Sequence, residues 1–262
     1  MAAAQAPPPQ PRAAAAGHRH GAGARHAGHR AAGEAATLAA ARAGPVGPGA
    51  GQLLFATSDE PHFYLSQFAA TPFTGAGVLY QTAEHYMHAA KARAFGDHAA
   101  ARRILACASP AGAKDAGRAV QGFSQQRWLR MRQGIVEAGC SLKFAAHPDL
   151  AALLAATGDA RLVEASSTDA VWACGAGWRE AVLAAARGRR AGPGLNLLGR
   201  VLERVRAAAR QPGWRGRVLA GRADSGDSGG GDGGGGGGGG NDGASGPDPP
   251  APPAPAAAQA CS

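Results

Sequence analysis

Between residues 52 and 210 the apolar positions recur with backbone periods; on either side of that window they do not. Leu53 to Thr57 is a short apolar run that predicts a strand. Pro61 to Phe68 is dense in aromatics and predicts a loop whose rings fill a core or form a stacking wall. Thr74-Gly75-Ala76-Gly77 signals a turn before a second strand ending at Tyr80. Thr82 then caps a helix holding Glu84, His88 and Lys91. Gly96-Asp97 stops it and starts another, over Ala99 to Ala106, with Ile104 and Leu105 inward and Arg102 and Arg103 outward. Ser109-Pro110 opens a helix carrying Lys114 and Arg118 at i, i+4. The spacing predicts a long helix over 125–146 with Trp128, Met131, Ile135, Ala138 and Leu142 as its apolar stripe. A short Leu-rich helix follows His147-Pro148-Asp149, and a strand follows over Arg161 to Ala165. After a polar loop around Trp172 and a basic Gly/Pro-rich loop at 188–194, Asn196 is expected to cap a last helix with Leu198, Leu202 and Val205 inward.

Composition sets the boundaries. Residues 1–51 are rich in Ala, Gly, Pro, Arg and His, and residues 211–262 are Gly-rich and then Pro/Ala-rich. Neither end holds enough large apolar side chains to offset the entropy of ordering, so both are expected to be disordered, around one folded domain over 52–210. The leader is nearly free of acids, which fits an organelle transit peptide in a plastid or mitochondrion; read as plain low complexity, it leaves the protein cytoplasmic. Residues 51–220 carry 21 Lys+Arg against 12 Asp+Glu. That excess suits an anionic partner such as a phosphate ester, a nucleotide or a nucleic acid, or simply a solvated basic surface. The four cysteines show no CxxC spacing, and no apolar run is long enough to span a bilayer. His85 and His88 lack a third ligand in view, and there is no phosphate-loop, nucleophile-elbow or HExxH motif.

The chemistry concentrates on the helix after Thr82. Glu84 falls in its first turn, where free N–H groups and the helix dipole favour a carboxylate. Glu84, His88 and Lys91 follow at i, i+4 and i+7 on one face. A carboxylate beside a cation suits chemistry on a phosphorylated sugar; the same pattern also describes a well-made helix start.

The pieces Tyr64-Leu65-Ser66-Gln67-Phe68, Thr82-Ala83-Glu84-His85-Tyr86 with Lys91, Ser109-Pro110 with Lys114 and Gly117-Arg118, Lys143-Phe144, Thr157-Gly158-Asp159, Leu162-Val163-Glu164-Ala165-Ser166, Asp169-Ala170-Val171-Trp172 and Gly194-Leu195-Asn196-Leu197-Leu198-Gly199 together resemble the NADAR domain, the YbiA-like family. The resemblance implies a compact, mainly helical α+β domain without metal or redox cofactor. It implies hydrolysis of an N-glycosidic bond, either in phosphoribosylamino-pyrimidine intermediates of riboflavin synthesis or in ADP-ribosylated guanine of nucleic acid. The partner is then a phosphorylated ribosylamine small molecule, or ADP-ribosylated nucleic acid, with no membrane. Such a reaction passes through an oxocarbenium-like state, by analogy with glycoside hydrolysis. Glu84 is the candidate base and electrostatic stabiliser, and Asp169 the second carboxylate. Trp172, with Phe68 or Tyr86, is expected to stack on the base, Lys91 and Arg118 to hold phosphate, and Asn196 to hold a sugar hydroxyl or a loop carbonyl.

Four departures stand out. Gln67 and Ala173 replace the family's usual Asn and Gly, Cys174 stands where some members carry an acid, and Glu203 replaces a common Met. They keep open a third reading, a module that binds ADP-ribose or nucleic acid without cleaving it.

Overall fold

The computed structural model describes residues 33–47, 49, 51–56, 60 and 62–221. Two strands, β1 (Gln52–Phe55) and β4 (Arg161–Glu164), pair in parallel with Gln52 opposite Arg161 and Phe55 opposite Glu164. Parallel pairing requires a long crossover, and here most of the domain lies within it. The crossover holds a 3-10 turn (Phe63–Leu65) and a hairpin of β2 (Phe73–Gly75) and β3 (Val78–Tyr80). Five helices complete it: α2 (Ala83–Ala94), α3 (His98–Ala106), α4 (Pro110–Arg118), α5 (Gln125–Ala146) and α6 (Pro148–Ala156). After β4 come α7 (Trp178–Ala186), α8 (Leu197–Ala209) and α9 (Trp214–Leu219). The described part is therefore an α+β domain, mainly helical, with short strands. None of its helices is long and apolar enough to cross a membrane.

The β1–β4 pair is covered on both faces, which explains why Leu53-Leu54-Phe55 and Leu162-Val163 are consecutive apolar positions rather than alternating ones. Leu53, Phe55 and Leu162 face a core built from α5, α8 and Trp214 of α9. Leu54 and Val163 face a second cluster containing Val182 and Ala185 of α7. A third cluster joins the hairpin to α2, α3 and α4 through Phe73, Tyr80, Ala89, Ala92 and Ile104. Local capping runs as the sequence predicts. Thr82 accepts from the His85 N–H, Asp97 from Ala100, and Ser109 from Gly112.

The structure differs from the sequence reading in several places. Residues 33–43, inside the expected leader, form a helix (α1), and its Ala41 is fully buried in the second cluster. Ala-rich sequence has the highest helix propensity, and a small side chain docks closely, so few large residues are needed. Beyond 210, within the expected tail, α9 closes over the first cluster with Trp214. Residues 1–32, 48, 50 and 222–262 of the two expected disordered ends lie outside the described residues. On α5 the helix bounds match the prediction, but the deepest face is Val136, Gly139, Cys140, Lys143 and Phe144. Of the expected stripe only Trp128 is buried. The rest of that stripe is half-covered because α2, α8, α9 and the hairpin crowd this helix from several sides.

Candidate active site

A cavity of about 140 Å³ opens where α2, the 63–68 turn, α4, α5 and the end of β4 converge. One wall is α2. Glu84, His88 and Lys91 face the cavity from successive turns, with Met87 between them. The Glu84 backbone N–H donates to the Gln67 carbonyl at 3.1 Å, which joins the helix start to the aromatic turn. Its carboxylate lies 3.1 Å from His88 Nε2. A proton on Nε2 makes that contact a hydrogen bond and leaves Nδ1 bare, and Nδ1 is buried with no partner. The His88 ring lies flat against α4 because position 117 is glycine: a Cβ there would overlap the ring. The other histidine, His85, is turned away; its ring joins Thr82 to the Cys107 carbonyl at the end of α3.

Lys91 Nζ donates to the Gly117 carbonyl at 2.9 Å and lies 4.5 Å from the centre of the Phe123 ring. Burial holds its pKa below that of an ordinary lysine. Lys114, from α4, lies over Phe68 across the cavity mouth. Gln67 is 5 % exposed, and its Oε1 has no partner. This turn is held in place by Lys143 of α5, a buried lysine that donates to the carbonyls of Tyr64 at 2.6 Å and Ser66 at 2.9 Å. Burial lowers its pKa to about 8.

The opposite wall comes from β4 and the loop after it. Glu164, the last residue of β4, faces the cavity. Burial pushes its carboxyl up to about 8, with repulsion from Asp169 and Glu84 adding to the effect and Lys114 opposing it. Asp169 Oδ1 accepts from the N–H groups of Val171 and Trp172, both at 2.8 Å, which shapes the loop and leaves its second oxygen for the cavity. Trp172 forms part of the wall, with the Arg132 guanidinium over its ring at 5.9 Å.

The structure thus brings together Glu84, Asp169, Lys91, Trp172 and Phe68. It places three other candidates elsewhere. Tyr86 packs with Phe73 and Tyr80 in the aromatic cluster under the hairpin, on the face of α2 away from the cavity. Arg118, the last residue of α4, is exposed and pairs with Asp115 at 3.0 Å. Asn196 is buried: its side chain donates to the Leu162 carbonyl at 2.8 Å and accepts from the Glu164 N–H at 3.0 Å. It sits at the start of α8 with φ +50° and caps nothing with its side chain. Gly199 makes room for this arrangement, since a Cβ there would strike both the Leu162 carbonyl and the Asn196 amide. Asn196 therefore positions the Glu164 backbone rather than touching a substrate.

Sequence reasoning missed Glu164, Lys114, Trp128 and the orientation of Gln67 as cavity residues. Glu164 carried a usable signal, an acid directly following two buried apolar strand positions. Two departures are neutral here. Cys174 lies in the second hydrophobic cluster, not in the cavity, and Glu203 accepts from the Leu162 N–H at 2.9 Å, a structural bond at the edge of β4.

A helix-start carboxylate, two further carboxylates, two lysines and two tryptophans line this one cavity. Residues 54–210 match the NADAR domain, and the chain belongs to that family. It is 38 % identical over 132 residues to N-glycosidase R617 of Acanthamoeba polyphaga mimivirus, covering 50 % of this chain and 76 % of that one. It is 34 % identical over 121 residues to N-glycosidase YbiA of Escherichia coli, covering 46 % and 73 %. The NMR structure of YbiA superposes with a TM-score of 0.48 at 28 % identity, covering 59 % of this chain and 83 % of YbiA. A third relative, riboflavin biosynthesis protein VVA0006 of Vibrio vulnificus, is 30 % identical over 154 residues, covering 59 % of this chain and 37 % of that protein.

Proposed function

We propose that this chain is an N-glycosidase that hydrolyses the bond between ribose and the amino group of a phosphoribosylamino-pyrimidine. The observation that carries the reading is the convergence of Glu84 and Glu164 on one cavity, one carboxylate hydrogen-bonded to His88 and the other held protonated by its surroundings. A carboxyl raised in this way, facing a second one on the same cavity, allows the two to divide the work of acid and base. Membership of the NADAR family and the names of the curated relatives support the bond class, and the Vibrio vulnificus relative's name supports the pyrimidine substrate.

In this mechanism Glu84 takes a proton from the attacking water and faces the positive charge that develops at the anomeric carbon. The water oxygen bonds to C1′ as the C1′–N bond breaks. Glu164 gives its proton to the departing amino group, so that the free aminopyrimidine and ribose 5-phosphate leave. Asp169, with one oxygen engaged by the loop backbone, offers the other to a ribose hydroxyl or to the water. Lys91 and Lys114 neutralise the phosphate, and Trp172 and Trp128 offer ring faces to the base. Gln67 presents an unpartnered amide oxygen to the ligand, a match for an amino donor on the pyrimidine.

The test is release of ribose 5-phosphate by the full chain from the two phosphoribosylamino-pyrimidine intermediates, beside an ADP-ribosylated guanine oligonucleotide. Release from the pyrimidines alone is expected. Release of ADP-ribose from the oligonucleotide alone moves the assignment to nucleic-acid repair, and tight binding without release moves it to a non-catalytic reader.

A further inference from the structure

The β1–β4 pair has two functional ends. Glu164 closes β4 at the catalytic cavity, and Arg161 opens it, about 10 Å away along the strand at roughly 3.3 Å per residue. At the Arg161 end lies a separate cavity of about 250 Å³, lined by Arg161, Arg189 and Arg190 with backbone from Gly47, Gly51 and Gln52. Its basic loop is fixed rather than merely adjacent. The Gln52 amide donates to the Arg189 carbonyl at 2.7 Å and accepts from the Ala191 N–H at 3.2 Å, which ties the loop to the sheet end. Arg190 reaches back to the Gly194 carbonyl at 2.8 Å.

The surface arginines divide into those that meet a carboxylate and those that do not. Arg42, Arg118, Arg179, Arg204 and Arg210 each meet a carboxylate. Arg161, Arg187, Arg189 and Arg190 have no carboxylate partner among the described residues. Arg189 also lines a second, open groove of about 710 Å³ along α7, which adds Arg187 and the half-buried ring of Trp178; Glu180 is the acid on that groove. Two cavities that meet at Arg189 make a basic track longer than one phosphate, with an aromatic beside it. Guanidinium groups without a carboxylate, gathered on two adjoining cavities next to an aromatic edge, match repeated phosphates with accessible bases.

We propose that this arginine track binds the phosphate backbone of a single-stranded polynucleotide, at a site distinct from the catalytic cavity and independent of that cavity's substrate. The experiment is fluorescence anisotropy of a labelled single-stranded oligonucleotide with the full chain, across a salt titration. Wild type is expected to bind with a steep salt dependence. The double variant Arg161→Glu with Arg189→Glu removes two phosphate contacts, so its log–log salt slope is expected to be shallower by about 1.4, at about 0.7 per contact on a single strand. A control with the same change in charge, Arg102→Glu with Arg103→Glu on the exposed face of α3, is expected to keep the wild-type slope. All the substituted side chains are exposed, and hydrolysis in the catalytic cavity is expected to be unchanged in both variants. Equal weakening in both double variants overturns the proposal, because only general charge is then at work. Displacement of the oligonucleotide by ribose 5-phosphate overturns it by placing the strand in the catalytic cavity. Binding of tripolyphosphate without the oligonucleotide, preference for duplex, or no binding at all also overturns it.

Discussion

The two walls of the catalytic cavity are made in opposite ways. The α2 wall comes from one run of sequence: Glu84, His88 and Lys91 share a helical face, and the helix period alone aims all three into the cavity. The facing wall is assembled from distant parts. Glu164 is placed by Asn196, 32 residues on, and Asp169 and Trp172 are placed by a loop that folds around the Asp169 carboxylate. The first wall is stiff because helix hydrogen bonds hold it. The second is held by a few buried polar contacts, each of which is open to a single substitution. A division of labour follows. In the proposed mechanism the local wall supplies the base and a cation, and the assembled wall supplies the proton donor and a stacking face.

The largest expected effect comes from breaking the α2 wall at its first turn. Glu84→Gln keeps the shape but removes the base, and kcat is expected to fall by roughly 10²–10⁴ while ligand binding, followed by intrinsic tryptophan fluorescence, persists. Glu164→Gln breaks the other wall and is expected to cost on the order of 10² in kcat. Wild-type activity should decline as pH rises through about 8, the value to which burial lifts Glu164, and the variant should lose that alkaline limb. The same group links stability to pH. Its folded pKa lies above the ordinary 4.5, so the folded state holds the extra proton between about 4.5 and 8. Its contribution is full below 4.5 and is lost as pH rises through about 8; urea titrations of Glu164→Gln against wild type should show a slope that is absent in the variant.

Smaller effects sharpen the comparison through residues that never touch substrate. Lys143→Met leaves the Tyr64 and Ser66 carbonyls without their buried donor, and denaturant unfolding is expected to show a loss of about 3 kcal/mol. Its activity should fall through KM as the Gln67–Phe68 turn loosens. Asn196→Ala removes two buried hydrogen bonds and places alanine at positive φ, for about 2 kcal/mol, with Glu164 chemistry impaired alongside. Arg118→Ala should change stability by less than about 0.5 kcal/mol and leave turnover unaltered, since its partner among the described residues is an exposed Asp115.

The same contrast explains what was legible in the sequence. Features governed by neighbours along the chain could be read. These include the Thr82, Asp97 and Ser109 caps, the bounds of α5, and the grouping of Glu84 with Lys91. The parallel pairing of β1 with β4 joins residues more than a hundred positions apart, and no local period encodes it. Lys143, named in the sequence only as part of the Lys143-Phe144 piece, is fully buried because its partners lie on a turn nearly eighty residues earlier. Asn196 matched a capping signature and performs a different task, since the strand beside it needed a donor and an acceptor more than the helix needed a cap. Tyr86 lies next to the cavity residue Met87 in sequence but faces away, because adjacent positions on a helix differ by about 100°, and Arg118 ends α4 exposed to solvent. The helix over 33–43 escaped notice because alanine-rich sequence serves equally well for a linker and for a closely docked helix.

The central claim is that the α2 carboxylate cleaves an N-glycosidic bond in this cavity. It is tested most directly by a side-by-side assay of wild type and Glu84→Gln on a phosphoribosylamino-pyrimidine, with ribose 5-phosphate release and ligand binding measured on the same samples. The account predicts release by wild type and none by the variant, with the ligand bound by both. Equal release by the two proteins would contradict it and take Glu84 out of the reaction.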